Sequence, residues 1–397
     1  MIRYLALSAI VFAMAICADV RAEDRILKTR VEPVDVEIFI PKEAKRIQGL
    51  VVHVFNYKLK THDRWATLCR QRKWAHVNTI ISRKANNRPK RIRHALKVAL
   101  AEFAEKSGHP ELIHVPRAGT GFSAGGMVTR VLESEPEKML TNAISCSWVR
   151  DPNEMKEVAA VPELVISGAV PDGFKMLPAI PKFFEPAIAQ KRPWGLGLQH
   201  KCKHDWANSG TLSVQWIQSI ADLRYPENPD VRKPIPLRDI KFADGWLGDR
   251  TTINGTYATV APVAEYKGDP AKATWFPDRA TAFVWRAWQC KDSPVDLTAQ
   301  TKDGSHKLPA FQPRKSFGLS VPPGKDLVLG VSPKKKTELK SVRFFHGDTL
   351  LGTAKAAPWQ ITWDAPKVGC YAIWAEYIGQ NKTAVTNPAL ICIEPKK

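Results

Sequence analysis

The stretch Gly119-Thr120-Gly121-Phe122-Ser123-Ala124-Gly125-Gly126-Met127 decides the fold of this 397-residue chain. It carries the pattern Gly-x-Ser-x-Gly, and the helical pattern Val128 to Ser134 follows it directly. A strand that turns this abruptly into a helix needs small residues two positions before and two positions after the serine, and Gly121 and Gly125 meet that need. The stretch therefore predicts a strand-turn-helix unit that raises the Ser123 hydroxyl above a sheet, where it can act as a nucleophile.

Strand-like and helix-like segments alternate around this turn. Leu50 to Phe55 is a continuous apolar run of the kind found in buried strands, and Asp63 to Lys73 has a helical pattern. The next strand-like run is Val77 to Ser82, followed by a helix from about Pro89 to Lys106. Such alternation is typical of a mainly parallel sheet with helices on both faces. We therefore predict a doubly wound, mainly parallel α/β sheet in a first domain over residues 23–225.

A serine nucleophile needs a base to remove its proton and a carboxylate to orient that base. Where a Gly-x-Ser-x-Gly turn is used, the chain order is Ser, then Asp or Glu, then His. Asp172 follows the predicted strand Val161 to Gly168, and His204 lies on the loop before the last helix of the domain. We predict Ser123, Asp172 and His204 as the catalytic residues. His200 competes with His204 for the role of base, and Asp172, within Pro-Asp-Gly, is alternatively a turn residue.

Residues from about 34 to 223 resemble the α/β-hydrolase superfamily. The resemblance is to the secreted esterase branch near polyhydroxybutyrate depolymerases, feruloyl and acetyl xylan esterases, and dienelactone hydrolases. The string Gly121-Phe122-Ser123-Ala124-Gly125-Gly126 is similar to the serine turn of that branch, and His204-Asp205-Trp206 is similar to its histidine loop. The resemblance implies that Ser123, His204 and Asp172 cleave carboxylic esters through an acyl-enzyme.

Two backbone N–H groups are expected to stabilise the oxyanion of such a reaction. Ala124 stands at the start of the helix after the serine, where a free N–H and the helix dipole favour negative charge. The second donor is expected on the loop after the strand Leu50 to Phe55, from Asn56 or Tyr57. Esterases often carry His-Gly there, and this chain departs from that pattern.

The N-terminus predicts export. Arg3 precedes the apolar run Leu5 to Ile16, and small residues lead to Ala22, so residues 1–22 have the pattern of a signal peptide. The run is too short to cross a bilayer and no later segment is longer, so we expect a secreted or periplasmic protein without a membrane span. Six cysteines follow, and disulfides are compatible with that compartment. Cys370 with Cys392 is the suggested pair, and buried thiols are the alternative.

The composition is strongly basic, with 59 Lys and Arg residues against 39 Asp and Glu residues and a formal net charge of +20. Such an excess favours polyanionic surroundings. The densest basic run, Arg83 to Lys97, overlaps a predicted helix, where a solvated helix face is the simpler interpretation. No nucleic-acid motif accompanies it, so we expect no nucleic-acid partner. No ligand cluster predicts a metal or an organic cofactor, and the oligomeric state is left open.

The second half of the chain has a different composition. Residues 226–320 begin as a proline-rich linker and continue as a tryptophan-rich segment, whose tryptophans form either a sugar-binding surface or part of a core. Residues 321–397 alternate as short strands separated by turns, which predicts an all-β, immunoglobulin-like sandwich. The run from Val342 to Trp363 resembles the bacterial immunoglobulin-like modules attached to extracellular glycan-degrading enzymes.

The function predicted from the sequence is a secreted carboxylic ester hydrolase acting on small-molecule or polysaccharide esters. The basic charge suits an anionic polymer. A serine peptidase of the prolyl-oligopeptidase kind shares the serine turn, but the chain lacks the propeller or large lid of those enzymes. A noncatalytic glycan-binding scaffold is the third alternative, supported by the unusual oxyanion loop and the aromatic C-terminal half.

Overall fold

A computed structural model describes residues 24–55, 57–147, 151–156, 158–170, 184–251, 257–290, 293–312, 315–334, 337–379 and 383–395. The predicted signal peptide, Asn56 and Asp172 lie outside these ranges. No helix within them is long and apolar enough to cross a bilayer.

The first half of the chain forms a single eight-stranded sheet with the order β1-β2-β4-β3-β5-β6-β7-β8. The first two strands of this order run antiparallel to their neighbours, and every pair from β4 to β8 is parallel. This confirms the predicted mainly parallel sheet. The strands are β1 (Arg25–Val31), β2 (Val34–Ile40), β3 (Leu50–Val54), β4 (Ala75–Ile81), β5 (Arg117–Phe122), β6 (Met139–Ser145), β7 (Glu163–Gly168) and β8 (Trp194–Gln199).

Helices cover both faces of this sheet. On one face α1 (Arg64–Arg72) contacts α4 (Ser209–Arg224), and on the other α2 (Arg88–Ser107) contacts α3 (Val128–Leu132). The apolar residues of α2 recur every three or four positions, which places them on the sheet while the basic residues of the same helix face solvent. The first domain is therefore doubly wound, as predicted.

The tryptophan-rich segment extends the core of the α/β sheet. Strands β9 (Trp246–Asp249), β10 (Val260–Pro262) and β11 (Ala273–Phe276) form a small antiparallel sheet, and α5 (Arg279–Trp288) follows. Trp275 and Trp285 are completely buried and Trp288 nearly so. The indole N–H of Trp285 donates to the Leu196 carbonyl of β8 at 2.8 Å. These tryptophans are core residues and not a sugar-binding surface.

The C-terminal part is a β-sandwich with its own apolar core. Two of its strands, β12 and β13, begin before residue 321. A strand is defined by its partner, and β12 pairs with β14, which lies beyond an intervening loop and β13. One sheet has the order β12-β14-β17, and the other has the order β13-β20-β18-β15-β16 with β19 beside β18. The strands are β12 (Val295–Thr301), β13 (Gly318–Val321), β14 (Leu327–Pro333), β15 (Leu339–His346), β16 (Thr349–Ala354), β17 (Gln360–Trp363), β18 (Gly369–Gly379), β19 (Thr383–Val385) and β20 (Ala389–Ile393).

The sandwich is packed against the α/β domain. Cys370, Trp374 and Leu390 on the outer face of the larger sheet belong to the same apolar core as the first domain. The Cys370 N–H donates to Gln71 Oε1 of α1 at 3.0 Å. Asn387 Nδ2 donates to the Cys290 carbonyl at 2.8 Å. The second half of the chain is thus part of one continuous structure.

Candidate active site

The serine turn has the geometry that its sequence predicts. β5 ends at Phe122, and a 3-10 turn from Ser123 to Met127 leads into α3. Ser123 has φ of +55°, a left-handed conformation that is strained for a residue other than glycine. A Cβ on Gly121 would lie 2.2 Å from the carbonyl oxygen of Gly125, and one on Gly125 would lie 2.5 Å from that of Val54. Only glycine fits at these two positions, so the turn packs tightly against the end of β3.

His204 lies beside this turn, on the loop between β8 and α4. Its ring centroid is 4.8 Å from that of Phe122, the residue directly before Ser123. Trp206 of the same loop stacks on Phe122 at 4.3 Å. The structure therefore places the ring of His204 against the residue that precedes the predicted nucleophile.

The end of β7 holds the histidine loop in place. A Cβ on Gly168 would lie 1.8 Å from the carbonyl oxygen of Lys203, so the loop passes directly over this glycine. The Val170 N–H donates to the Cys202 carbonyl at 2.9 Å. Asp172 is two residues beyond Val170 in the sequence and outside the described residues. The segment that leads to the predicted acid is thus bonded to the loop that carries the predicted base.

The loop is also fixed from β6 and from within. The Cys146 thiol, just after β6, contacts the carbonyl oxygens of Lys203 and Asp205, each at 3.8 Å. The Asp205 carboxylate accepts the Lys203 N–H at 3.2 Å and thereby stabilises the turn of its own loop. Asp205 is therefore occupied within the loop that carries His204.

His200, the competing base, is placed elsewhere. It lines a cleft of about 500 Å³ between the start of the histidine loop and the sandwich. Trp288, Asp296 and Phe311 line the same cleft. His204, by contrast, lies against Phe122, directly before the serine turn.

The oxyanion loop is anchored by the Tyr57 side chain. Phe55, two residues before Tyr57, has φ of +67° and turns the backbone sharply at the end of β3. The Tyr57 ring stacks on His53 at 4.2 Å, and its hydroxyl donates to Asp63. Burial, and then the Asp63 carboxylate, raise the pKa of Tyr57 well above its ordinary value, so the hydroxyl stays protonated. Sequence reasoning considered only the backbone N–H of Tyr57 and missed this anchor.

Two buried histidines lie beneath the same loop. His53 Nδ1 and His76 Nε2 are 2.7 Å apart, and the residues are 1% and 0% exposed. Burial lowers the pKa of both, that of His76 to about 4, so the pair is neutral near pH 7. These residues support the loop from inside the sheet. The one feature of the sequence that could have indicated this pair is the presence of a histidine in each of the mainly apolar strands β3 and β4.

The arrangement contains no metal site within the described ranges, where no three His, Cys, Asp or Glu side chains cluster to hold an ion. The described groups are a strained serine, an imidazole packed on the residue before it, and the N-terminus of the helix that follows the serine. This combination suits nucleophilic attack on a carbonyl with proton transfer through the imidazole.

No family model and no curated protein matches the chain. Among solved structures, an arylesterase is 14% identical, covering 50% of this chain and 85% of its own length, with a TM-score of 0.35. Est1E from Butyrivibrio proteoclasticus is 9% identical, covering 49% of this chain and 96% of its own length, with a TM-score of 0.33. Fibronectin(III)-like modules of CbhA from Clostridium thermocellum are 25% identical, covering 19% of this chain and 85% of their own length, with a TM-score of 0.18.

Similarities at these TM-scores carry no argument about activity. The strand order, the two helix layers and the strained serine between β5 and α3 describe the fold by themselves. Together they define an α/β-hydrolase fold followed by a β-rich C-terminal part.

Proposed function

We propose that the protein is a serine hydrolase of carboxylic esters, with Ser123 as nucleophile and His204 as base. The observation that carries the proposal is the left-handed Ser123 on a turn against which the ring of His204 is packed through Phe122. A strained residue that is held by glycines on both sides marks a position where conformation has been fixed for function.

The chemistry follows from these positions. His204 takes the proton of the Ser123 hydroxyl as the oxygen attacks the ester carbonyl, and it gives the proton to the departing alcohol. The Ala124 N–H and an N–H of Asn56 or Tyr57 stabilise the oxyanion. Asp172 accepts the second N–H of the imidazole. Water then attacks the acyl-enzyme with His204 again as base, and the acid is released.

The substrate that we propose is an extracellular ester, on a polysaccharide or a related molecule, with anionic character. Arg83 and Arg88 lie within 5.4 Å and 5.9 Å of the Phe55 ring, at the entrance to the oxyanion loop. This places part of the basic surface next to the proposed site. The signal-peptide pattern supports a secreted or periplasmic location, and the two facing sheets support an immunoglobulin-like module.

The test is hydrolysis of para-nitrophenyl acetate and butyrate by the purified protein beside four variants: Ser123→Ala, His204→Ala, Asp172→Asn and His200→Ala. Loss of Ser123 or His204 is expected to lower kcat by at least about 10³-fold, because the two act as a unit. His200→Ala is expected to retain activity and is the matched control for histidine removal.

Labelling of Ser123 by a fluorophosphonate probe provides a second readout that does not depend on the choice of ester. If the wild-type protein neither hydrolyses these esters nor labels, the fold serves as a binding scaffold and the proposal is wrong. Loss of activity with His200→Ala but not with His204→Ala would identify His200 as the base.

A further inference from the structure

A pocket of about 330 Å³ lies beside the catalytic elements, on the face of the sheet covered by α1 and α4. We call it the Arg64 pocket. Its volume is within the range of small-molecule sites in proteins. The lining residues are Tyr57, Lys60, Asp63, Arg64, Trp65, Thr120, Ser145, Trp206, Ser209, Gly210, Ser213 and Ser316.

The pocket adjoins both loops of the proposed active site. Tyr57 belongs to the oxyanion loop, and Trp206 belongs to the histidine loop two residues after His204. Thr120 lies on β5, three residues before Ser123. The pocket therefore borders both loops that flank the ester in the proposed mechanism.

The Arg64 guanidinium has no ion pair or hydrogen bond with any residue in the described ranges, and only its backbone carbonyl has a partner. The guanidinium lies close enough to His53 and Tyr57 to act on both rings electrostatically. A guanidinium is always charged and offers a fork of N–H donors that matches a carboxylate. The cation is thus available for a ligand.

Asp63, the neighbouring carboxylate, is already used. Its Oδ1 accepts the N–H groups of Trp65 and Ala66 at 2.9 Å each and caps α1. Its Oδ2 accepts the Tyr57 hydroxyl. The pocket lining therefore contains two cations, Lys60 and Arg64, against the single carboxylate of Asp63, whose hydrogen bonds are made with the helix and the tyrosine.

Three largely buried residues with hydroxyl groups line the same space. Thr120, Ser145 and Ser213 are each 3% exposed, and none has a side-chain hydrogen bond to a described residue. The residues are buried as a whole, but their hydroxyl oxygens are open to the cavity, where they can bond to water or to a polar ligand. These groups fit the oxygens of a carboxylate and of a polar group attached to it.

Gly210 shows that the chain makes room for the guanidinium. A Cβ at this position would lie 1.6 Å from Arg64 Nη1. Any other residue would push the end of the Arg64 side chain away from its place. Because position 210 of α4 has no side chain, the Arg64 guanidinium can reach the pocket.

We propose that the Arg64 pocket binds a carboxylate of the ester substrate, so that the protein prefers anionic esters over neutral ones. The inference rests on the ester hydrolase function proposed above and names its substrate class. Arg64 donates to the carboxylate, and the hydroxyls of Thr120, Ser145 and Ser213 donate to its remaining oxygens or to adjacent polar groups.

The test compares two matched pairs of esters. For a carboxylate on the acyl side, the pair is para-nitrophenyl hemisuccinate and its neutral methyl ester. For a carboxylate on the alcohol side, the pair is para-acetoxybenzoate and its methyl ester. In one of the two pairs, kcat/KM is expected to be about tenfold or more higher for the anion. Hydrogen bonds to charged groups contribute a free energy that corresponds to a ratio of this size.

The variants are Arg64→Met, which removes the charge, and Gly210→Ala, which keeps the charge but displaces the guanidinium. Both are expected to lower the ratio of anionic to neutral kcat/KM by about 10-fold to 100-fold. Arg91→Met, at an exposed position on α2, is the matched control and is expected to keep the wild-type ratio.

An unchanged ratio in both pocket variants, with ester hydrolysis intact, would overturn this inference and leave the proposed function standing. If no ester is hydrolysed, the proposed function fails by itself. Calorimetric titration with benzoate and succinate then tests whether the Arg64 pocket binds a carboxylate. Binding that Arg64→Met abolishes and Arg91→Met preserves supports the site, and no binding to the wild type overturns it.

Discussion

Of the ten residues other than glycine that are left-handed in the described part of the chain, five lie around the proposed site. Each such residue costs about 1–2 kcal/mol of backbone strain, which the surrounding structure has to compensate. They occur after β3, at the serine, after β6 and twice in the histidine loop: Phe55, Ser123, Cys146, Lys201 and Ala207. The strain is thus stored at the carboxyl ends of the strands, where the proposed chemistry takes place.

Gly168→Ala tests whether the histidine loop is positioned by close contact. The added Cβ would lie 1.8 Å from the Lys203 carbonyl oxygen, which is backbone and has to move with the whole loop. We expect kcat for para-nitrophenyl acetate to fall by about 100-fold, since a displacement of about 1 Å has that effect on positioned groups. Steady-state kinetics measures this effect.

Gly304→Ala is the matched control for Gly168→Ala, because nothing lies within 4 Å of a Cβ there, although its φ of +70° adds strain. This variant is expected to lose some stability and to keep its kcat. Equal kcat values for Gly168→Ala and the wild type would show that the loop tolerates the shift.

At the scale of elements, β18 and β20 place two cysteines directly opposite each other. Cys370 and Cys392 are register partners, both buried, with their sulfur atoms 3.7 Å apart. The pair suggested by the sequence is therefore brought together as two adjacent thiols. Because β18 also packs on α1, the pair lies where the sandwich meets the first domain.

Oxidised glutathione is expected to convert Cys370 and Cys392 to a disulfide, with loss of two protons and two electrons to the oxidant. A loop of this length should raise the free energy of unfolding by about 3 kcal/mol. Peptide mass mapping detects the link, and urea titration measures the change. Cys392→Ala is the control, and stabilisation by the oxidant in that variant would contradict the assignment.

Periodicity and motif predicted most elements of the first domain, but not the contacts between distant parts. The segment entering the serine turn is poor in β-branched residues, yet it forms β5 because β3 and β6 pair with it on both sides. The serine turn, the strand segments and the loop that carries His204 could be predicted from the sequence because each is marked by a local pattern. The Tyr57 anchor depends on how its loop folds back onto His53 and Asp63, which residue types alone do not show. The pairing of β12 with β14 joins segments that are far apart in the chain, and no local pattern contains it.

At the scale of the whole molecule, the buried histidine pair links stability to pH. His76 has its pKa lowered from 6.5 to about 4 by burial, opposed by the Asp63 carboxylate. Between these pH values the unfolded chain binds a proton that the folded chain does not. The free energy of unfolding therefore falls as the pH falls through this window, by up to about 3 kcal/mol for this one group. His53 acts in the same direction.

Urea unfolding at pH 7 and pH 5 checks this expectation. The wild type should lose more stability on acidification than His76→Gln, which lacks the buried titrating group. His94→Asn, at an exposed position, is the control and should behave like the wild type. The same loss in all three proteins would mean that other groups govern the acid sensitivity.

The outer face of β18 and β20 completes the apolar core of the first domain, and this has a consequence for synthesis. Ribosomes make the chain from the N-terminus, so α1 and α4 emerge long before residues 369–393 are available to cover them. Until then the nascent protein exposes the apolar surface that Trp374 and Leu390 later bury. Domains of this size begin to fold as they emerge, and uncovered apolar surface promotes aggregation. Premature termination within the last strands would therefore leave the first domain, as well as the sandwich, without a complete core.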